Sequence, residues 1–262
     1  MKIAIIGCGT IGSSMAIRWG AAHQIALYDR TLAKAQQVAE LCQGKAYISP
    51  TDAIAESEMI LLAVKPQNLN EATEMIGKHL KQEQLLASVL AGVTLETLAK
   101  CFPTVQLLRV MPNIALQYGR GVIGLSDYKL NAPFTKENIQ TLFDPLGWVH
   151  WVPEEKMDAL SALSGSGMAF AAVIIEATVE AALAMGLSVE EGLTITLEML
   201  AGTIATLQHT GMHPSTLKWQ VASPGGTTVA GLYALEEHGL RSALMQTFLA
   251  TFKRNKELGK KI

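Results

Sequence analysis

The chain has 262 residues, of which 49% are hydrophobic and 17% charged, and its formal net charge is −2. This composition predicts a globular protein with a sizeable core. It disfavours nucleic acid and anionic membranes as partners, because both require a concentrated positive surface and the chain has no basic block. The three cysteines are far apart and form no CxxC pair, which fits a reducing compartment without a disulfide framework.

The amino terminus, MKIAIIGCGT, carries one lysine and an apolar run that is too short for the core of a signal peptide. The run from Ala159 to Ile175 is uncharged but interrupted by serines and glycines, and a membrane span needs about 20 mostly apolar residues. We interpret that run as a buried helix and expect a cytoplasmic protein that does not span a membrane.

Strands and helices alternate through the first half of the chain. The predicted strands are residues 2–6, 24–28, 59–64, 85–89, 105–110, 121–125 and 148–152, and the predicted helices are residues 10–20, 31–41, 68–79, 95–101 and 135–142. This alternation predicts an α/β Rossmann-type domain of residues 1–152 with a mostly parallel, doubly wound sheet.

The second half, residues 153–262, predicts only helices. They are residues 154–163, 168–185, 189–208, 215–221, 228–238 and 240–258. The second and third are apolar almost all round, so they must be buried on every side, and a domain of about 110 residues has little interior to cover them. We therefore predict an all-α domain for dimerisation and substrate binding, and an obligate homodimer formed through it.

The first chemical motif is GCGTIG at residues 7–12. It directly follows a predicted strand and opens a helix, and Asp29 ends the next strand 17 residues after Gly12, near the spacing of about 20 in dinucleotide-binding folds. In that context Gly7 makes the tight turn, Gly9 lets backbone amides approach a pyrophosphate, and Gly12 allows close packing of helix and strand. The motif therefore predicts a nicotinamide dinucleotide site.

The residues after the second strand leave the choice of cofactor open. Asp29 is suited to accept a hydrogen bond from the ribose of NADH, whereas Arg30 and Thr31 are suited to hold the 2′-phosphate of NADPH. Lys65, at the end of another strand, is either a solvated lysine or a cofactor contact. We also expect the Asn113 side chain to hydrogen-bond the nicotinamide amide or a nearby water.

A polar break, SPGGTT at residues 223–228, interrupts the helical half. Pro224 forces a turn, the two glycines expose backbone amides, and the threonines open a helix whose amino terminus favours an anion. An ordinary helix cap needs only one such residue, so we interpret the segment as an anchor for a small carboxylate.

The chemistry that suits this anchor is indicated by the segment expected to face the cofactor, residues 163–183. The segment LSGSGMAFAAVIIEATVEAAL has no Lys, His or Asp, so it lacks the general base that alcohol oxidation requires. A protonated cyclic imine carries its own electrophilic charge and needs only to be held against a hydride donor. His209 and His213 are interpreted as loop residues, since Gly211 and Pro214 interrupt any helix that would align them, and we predict no metal.

Several motifs together resemble those of the pyrroline-5-carboxylate reductase family. They are GCGTIG at the amino terminus, LLAVKPQ at residues 61–67, RVMPN at 109–113, EEKMDALSALSGSG at 154–167 and LKWQVASPGGTTVAGLYALEE at 217–237. The similarity runs nearly end to end. It implies reduction of 1-pyrroline-5-carboxylate to L-proline by NADPH or NADH, the last step of proline biosynthesis, in a dimer interlocked through the helical domain and often assembled into rings of dimers.

The resemblance also implies roles for matching positions. Ser223, Thr227 and Thr228 would hold the substrate carboxylate together with the amides of Gly225 and Gly226, and the Thr228 hydroxyl would orient or protonate the ring nitrogen as the catalytic group. With Asp29 of the fingerprint, the expected cofactor residues are Gly7, Gly9, Thr10, Ile11, Gly12, Asp29, Arg30, Ala63, Val64, Lys65, Pro66, Ala91, Gly92, Met111, Pro112 and Asn113.

Four positions depart from the family pattern. Met168 stands where the family has proline, Phe170 where it has tyrosine, Ile114 where it has a hydroxyl residue, and Trp219 where a charged or polar residue is common. Two alternatives therefore remain beside the reductase: an enzyme that reduces a related cyclic imino acid, such as a six-membered ring, and a non-catalytic dinucleotide-binding homologue.

Overall fold

Eight strands of the amino-terminal half form one sheet in the computed structural model, which describes residues 1–128 and 130–259. The strands are β1 (Lys2–Ile6), β2 (Gln24–Tyr28), β3 (Lys45–Ala46), β4 (Met59–Leu62), β5 (Leu85–Ser88), β6 (Gln106–Met111), β7 (Gly121–Tyr128) and β8 (Gly147–Trp151). Their order is β3-β2-β1-β4-β5-β6-β7-β8, and every neighbouring pair is parallel except β6 and β7. The predicted Rossmann-type sheet is confirmed.

Six helices cover the two faces of this sheet. They are α1 (Thr10–Gly20), α2 (Leu32–Cys42), α3 (Pro50–Ile54), α4 (Leu69–Ile76), α5 (Leu95–Cys101) and α6 (Lys136–Phe143). Alternate residues of β1 enter different cores: Ile3 and Ile5 pack with Trp19 of α1, whereas Ala4 and Ile6 pack with helices α3 to α5. Strands buried on both faces in this way read as continuous apolar runs, which is why the sequence revealed them.

The sequence missed two short elements and misplaced several strand ends, by one residue in β5, β6 and β8 and by more in β4 and β7. β3 has two residues and α3 has five, and neither is long enough to show a hydrophobic period. β4 ends at Leu62 rather than at residue 64, because the chain turns there into the site described below. β7 continues to Tyr128, three residues beyond the prediction, where it pairs antiparallel with β6.

The carboxyl-terminal half is helical, as predicted, and its described residues after β8 form no strand. The helices are α7 (Met157–Leu160), α8 (Gly167–Ala184), α9 (Val189–Thr210), α10 (Pro214–Val221), α11 (Thr227–Glu237) and α12 (Leu240–Gly259). One local difference is a π-helical turn at Ser161–Ser166, where the sequence predicted the end of an α-helix followed by a break.

The contacts divide the chain into two compact units, one of residues 1–165 with the residues from 251 onward, and one of residues 166–250. The predicted domain boundary between residues 152 and 153 stays a prediction. The first contact unit extends past it because Met157 and Ala162 are buried there and Leu160 packs over Gly124 of β7. Residue 129 of the predicted domain 1–152 and the last three of 153–262 lie outside the described residues.

The second unit has almost no interior of its own. Within residues 166–250 only Ala182, Gly192 and Thr196 are buried. Large apolar side chains point outward instead, and on α9 alone Ile195 is 55% and Met199 50% exposed. The helical run Glu154–Ala184 is by length and composition able to cross a membrane, since an 18-residue stretch within it has a mean hydropathy of 1.7. Such exposure is equally expected of a helix that packs against a second copy of its chain.

Candidate functional site

The glycine-rich loop between β1 and α1 makes the turn that its sequence predicts. Gly7 has a φ of +107° and donates its N–H to the Tyr28 carbonyl oxygen at 2.8 Å, which ties the loop to the end of β2. A Cβ on Gly7 would lie 2.6 Å from the carbonyl oxygen of Ala63. Only glycine fits this backbone beside the end of β4.

The other two glycines of the motif differ in their surroundings. A Cβ on Gly12 would collide with the carbonyl oxygen of Gly7, so this glycine permits helix and loop to touch. A Cβ on Gly9 would meet nothing within 4 Å. Gly9 stands at the amino-terminal cap position of α1, where no side chain accepts a hydrogen bond from the helix. The first-turn amides of α1, which include those of Thr10 and Ile11, have no partner within the helix.

Asp29 is used to hold the loop. One carboxylate oxygen accepts the N–H of Cys8 at 2.9 Å and the other accepts the N–H of Thr31, also at 2.9 Å. The carboxylate thereby joins the glycine-rich loop to the start of α2. Burial and the nearby Asp29 charge raise the pKa of the Cys8 thiol to about 12, so this cysteine stays a protonated, inert packing group.

A cleft of about 210 Å³ opens beside this loop. Seven of the predicted cofactor residues line it, namely Gly7, Gly9, Asp29, Arg30, Ala63, Val64 and Lys65. Lys34, Asn68 and Glu71 line it as well and were missed, since Lys34 and Glu71 lie on exposed helical turns that resemble ordinary solvated faces.

The remaining predicted cofactor residues fall elsewhere in the first unit. Pro66, Ala91 and Gly92 line a second, larger cavity of about 700 Å³ that also involves α5, α7 and the end of α12. Met111, Pro112 and Asn113 are buried and line neither cavity. Their roles toward a cofactor stay predictions.

The Asn113 side chain is engaged within the protein. Its Nδ2 donates to the carbonyl oxygen of Ser164 at 3.0 Å, and its Oδ1 accepts the N–H of Val122 at 3.2 Å. The residue thus ties the end of β6 to β7 and to the π-helical turn. Its surroundings assign it to holding these segments, whereas the sequence analysis expected it to face the nicotinamide.

A buried ionic cluster beside it was also missed. Arg109 on β6 is 3% exposed, and its guanidinium lies 3.1 Å from a carboxylate oxygen of Glu154 and 3.6 Å from one of Asp158. The same Glu154 oxygen accepts the N–H of Leu95 at 2.5 Å. The only signal in the sequence was a single arginine inside an otherwise apolar strand.

The segment SPGGTT forms a tight turn immediately before α11. The backbone carbonyl oxygen of Ser223 accepts the N–H of Gly226 at 3.0 Å and closes a four-residue turn. Pro224 is the second residue of this turn and Gly225 the third, and Gly225 has a φ of +69°, as a type II turn requires. A Cβ on Gly226 would lie 2.5 Å from the Ser223 hydroxyl. The positive φ favours glycine at position 225, and Gly226 lies directly against the Ser223 hydroxyl.

The turn leads directly into α11, whose first residues leave donors unpaired. Gly226 caps the helix without a side-chain hydrogen bond, so the amides of its first turn have no partner in the helix. Within the described part of the chain, the hydroxyls of Ser223, Thr227 and Thr228 make no hydrogen bond either. Ser223 and Thr227 are exposed and Thr228 is half-buried. The structure thus brings all five predicted anchor residues into one loop.

The four unusual positions differ in exposure, and Met168 is half-buried on the first turn of α8. Phe170 packs edge-on against Phe248 at 5.2 Å within the second unit, which gives the ring a packing role. Ile114 is 49% and Trp219 65% exposed, with Lys218 lying over the Trp219 ring. His213 caps α10 through Ser215, and the described residues contain no group of three or more His, Cys, Asp or Glu suited to a metal ion.

Comparisons with known proteins find relatives of both halves of the chain. Residues 154–258 match the family model described as pyrroline-5-carboxylate reductase dimerisation, and residues 2–92 match the model described as NADP oxidoreductase, coenzyme F420-dependent. Solved structures named pyrroline carboxylate reductase share the fold across nearly the whole chain. That from Coxiella burnetii has a TM-score of 0.87 at 28% identity and covers 98% of this chain and 97% of its own, and that from Plasmodium falciparum has a TM-score of 0.89 at 24% identity, covering 99% and 98%.

Curated relatives named pyrroline-5-carboxylate reductase match in sequence as well. The relative from Methanosarcina acetivorans is 37% identical over 209 residues, which make up 79% of this chain and 77% of that protein. The relative from Kluyveromyces lactis is 32% identical and covers 99% of this chain and 98% of its own. The resemblance read from the motifs is confirmed, and the chain belongs to the pyrroline-5-carboxylate reductase family.

Proposed function

We propose that this protein reduces 1-pyrroline-5-carboxylate to L-proline with a hydride from NADPH or NADH. The observation that carries the proposal is the loop of residues 223–228, where three hydroxyls and the first-turn amides of α11 have no partner within the described protein. Donors left unpaired around one turn suit a carboxylate, which accepts several hydrogen bonds at once.

The anchor residues divide the work of holding the substrate. The hydroxyls of Ser223 and Thr227 donate to the carboxylate, and the exposed amides after Gly225 and Gly226 add to them. The dipole of the 11-residue helix α11 favours the negative charge at its amino terminus. Thr228, half-buried on the first turn, orients the ring nitrogen and is the residue we assign to catalysis.

The cofactor fits the first unit. Gly9 has open space where a Cβ would stand, and Thr10 and Ile11 begin α1 directly after it, so their amides are among those that the helix leaves unpaired. These residues would hold the pyrophosphate, while the cleft lined by Asp29 and Arg30 would receive the adenosine ribose. The nicotinamide, when bound, supplies two electrons and one hydrogen as hydride.

The reaction asks little acid–base chemistry of the protein. Hydride adds to the ring carbon of the protonated C=N bond, the π electrons of that bond become the lone pair of nitrogen, and the proton already on nitrogen remains there. The secondary amine then takes a second proton from solvent. The chain's task is to hold the ring by its carboxylate in reach of the hydride, which is mainly a matter of orientation.

We further propose that the protein works as a homodimer joined through residues 153–262, with rings of dimers as the larger assembly, in the cytoplasm. The family model matched at residues 154–258 is described as a dimerisation domain. The exposed apolar side chains of α8 and α9 supply a surface that a second copy would cover.

The proposal is tested by steady-state kinetics of Thr228→Ala, with Thr228→Ser as the matched control. Loss of one hydrogen bond to a charged substrate lowers kcat/KM by about ten- to a hundredfold, and the serine variant, which keeps the hydroxyl, retains most of the activity. Full kcat/KM in Thr228→Ala would overturn the assigned role of this hydroxyl.

The wild-type enzyme tests the reaction itself. It oxidises NADPH or NADH when 1-pyrroline-5-carboxylate is added, and it does so faster than with the six-membered cyclic imino acid. A preference for the larger ring would identify the enzyme as a reductase of that related substrate. Cofactor binding without turnover of either ring would identify a non-catalytic homologue.

A further inference from the structure

An ion pair crosses the cleft in which the adenosine ribose is proposed to bind. Nη1 of Arg30 lies 3.4 Å from a carboxylate oxygen of Glu71, and both residues line the cleft. Arg30 lies between β2 and α2, and Glu71 lies on the first turn of α4, 41 residues later. The side chains are 65% and 46% exposed, so the pair is solvated and able to open.

Asp29, the other acidic residue of the cleft, is hydrogen-bonded to the backbone. Both oxygens of Asp29 accept backbone N–H groups, from Cys8 and Thr31, and this holds the carboxylate against the loop. The charged side chains that remain to meet a ligand are the cations Arg30, Lys34 and Lys65 and the single anion Glu71. Glu71 is therefore the group whose removal changes the charge facing a ligand without disturbing the loop.

We propose that Glu71 is a specificity-determining residue that lowers the preference of this enzyme for NADPH over NADH. The inference rests on the proposed use of NAD(P)H. The two cofactors differ by one 2′-phosphate, which brings between about one and a half and two negative charges. Glu71 weakens the binding of that phosphate in two ways. Its carboxylate pairs with the Arg30 guanidinium, which would otherwise be available to the phosphate, and its negative charge repels the phosphate.

Glu71 weakens the binding of NADPH but does not prevent it. An exposed ion pair contributes little, since water screens both charges, whereas a guanidinium and a phosphate form a paired, charge-assisted contact. A 2′-phosphate thus competes successfully for Arg30 but loses part of its binding free energy to the displaced carboxylate. NADH carries no group at this position and does not incur this loss.

The test compares dissociation constants of NADPH and NADH, measured by calorimetry without substrate, in wild type, Glu71→Gln and Glu74→Gln. In Glu71→Gln the ratio of the NADH constant to the NADPH constant rises about three- to tenfold, the size expected from one exposed pair and one repulsion. Glu74 lies one turn on in the same helix, is exposed and does not line the cleft, so its variant removes the same charge and keeps the wild-type ratio.

A second variant ties the effect to Arg30. In the Arg30→Gln background, Glu71→Gln shifts the ratio less than it does in wild type, because the guanidinium it would release is gone. Adenosine 2′,5′-bisphosphate and 5′-AMP, used as probes, reproduce the difference between the cofactors. Equal shifts in the Glu71 and Glu74 variants, or no shift in Glu71→Gln, would overturn the proposal. Since binding is measured without turnover, failure of the proposed reaction leaves this result readable.

Discussion

At the scale of single residues, the three glycines of GCGTIG serve different purposes. Gly7 and Gly12 are required by the protein itself, because a Cβ on either meets backbone atoms of the loop or of Ala63. Gly9 is required by nothing in the protein, since its Cβ would enter open space. This open space is where the proposed cofactor's pyrophosphate would lie.

This difference predicts opposite outcomes for two similar substitutions. Gly9→Ala folds with wild-type stability and loses most of its affinity for NADPH, because the methyl group occupies the space of the pyrophosphate. Gly12→Ala is destabilised by about 3 kcal/mol or more, since helix and loop must separate. Urea unfolding and calorimetric binding on both variants check this.

A destabilised Gly9→Ala variant, or one that binds NADPH as wild type does, would contradict the assignment of this space to the cofactor. The packing of Gly12 on Gly7 and the turn at residues 223–226 were readable from sequence because each depends on neighbours close in the chain. Glu71 was not, because it reaches the cleft only through the packing of α4, 41 residues after Arg30. The Asn113 contacts were not predictable for the same reason, since its partners belong to two other segments.

At the scale of elements, one buried arginine fixes the start of the helical half to the sheet. Arg109 reaches from β6 to Glu154 and Asp158, and Glu154 also receives the N–H that opens α5. Asn113 adds a second tie to the π-helical turn. A π-helical turn is often found at functional sites, and here two polar side chains of the RVMPN motif hold the segment that contains it.

Replacing this arginine is expected to cost more than replacing an exposed partner. Arg109→Met leaves two half-buried carboxylates without their cation and lowers the free energy of unfolding by about 2 to 3 kcal/mol. Lys100→Met breaks the exposed pair with Glu96 and changes the free energy of unfolding far less, because water screens both charges. Urea unfolding measures both, and equal effects would show that the buried cluster contributes no more than a surface pair.

Long elements were predictable and short ones were not. Strands buried on both faces stand out as apolar runs, and the helices of the second half as long apolar patterns. β3 and α3 are too short to show a period. The π-helical turn follows from tertiary ties such as the Asn113 contact and has no period of its own in the sequence.

At the scale of the whole molecule, the helical unit of residues 166–250 has almost no buried core of its own. Only three of residues 166–250 are buried, which is far too few for an independent core. Sequence alone predicted this shortage, because helices that are apolar all round need cover on every side. It did not predict where the compact units divide, which depends on contacts made by α7 and by the end of α12.

The predicted dimer is tested by placing charges on α9. Ile195→Asp with Met199→Asp, one turn apart and both exposed in the single chain, gives a monomer or unfolded helical unit by light scattering and circular dichroism, because the carboxylates would be buried in the interface. Ile48→Asp with Tyr118→Asp, which are exposed on the first unit, leaves the dimer intact. Wild-type protein at the mass of one chain would refute the dimer.

The most direct test of the account follows the transferred atom. The purified protein is given 1-pyrroline-5-carboxylate and NADPH deuterated at both C4 positions, and the product is analysed by mass spectrometry. The account predicts L-proline one mass unit heavier than the unlabelled product, with one NADPH oxidised per proline formed, and little product from Thr228→Ala. Proline without deuterium, or no proline at all, would contradict it.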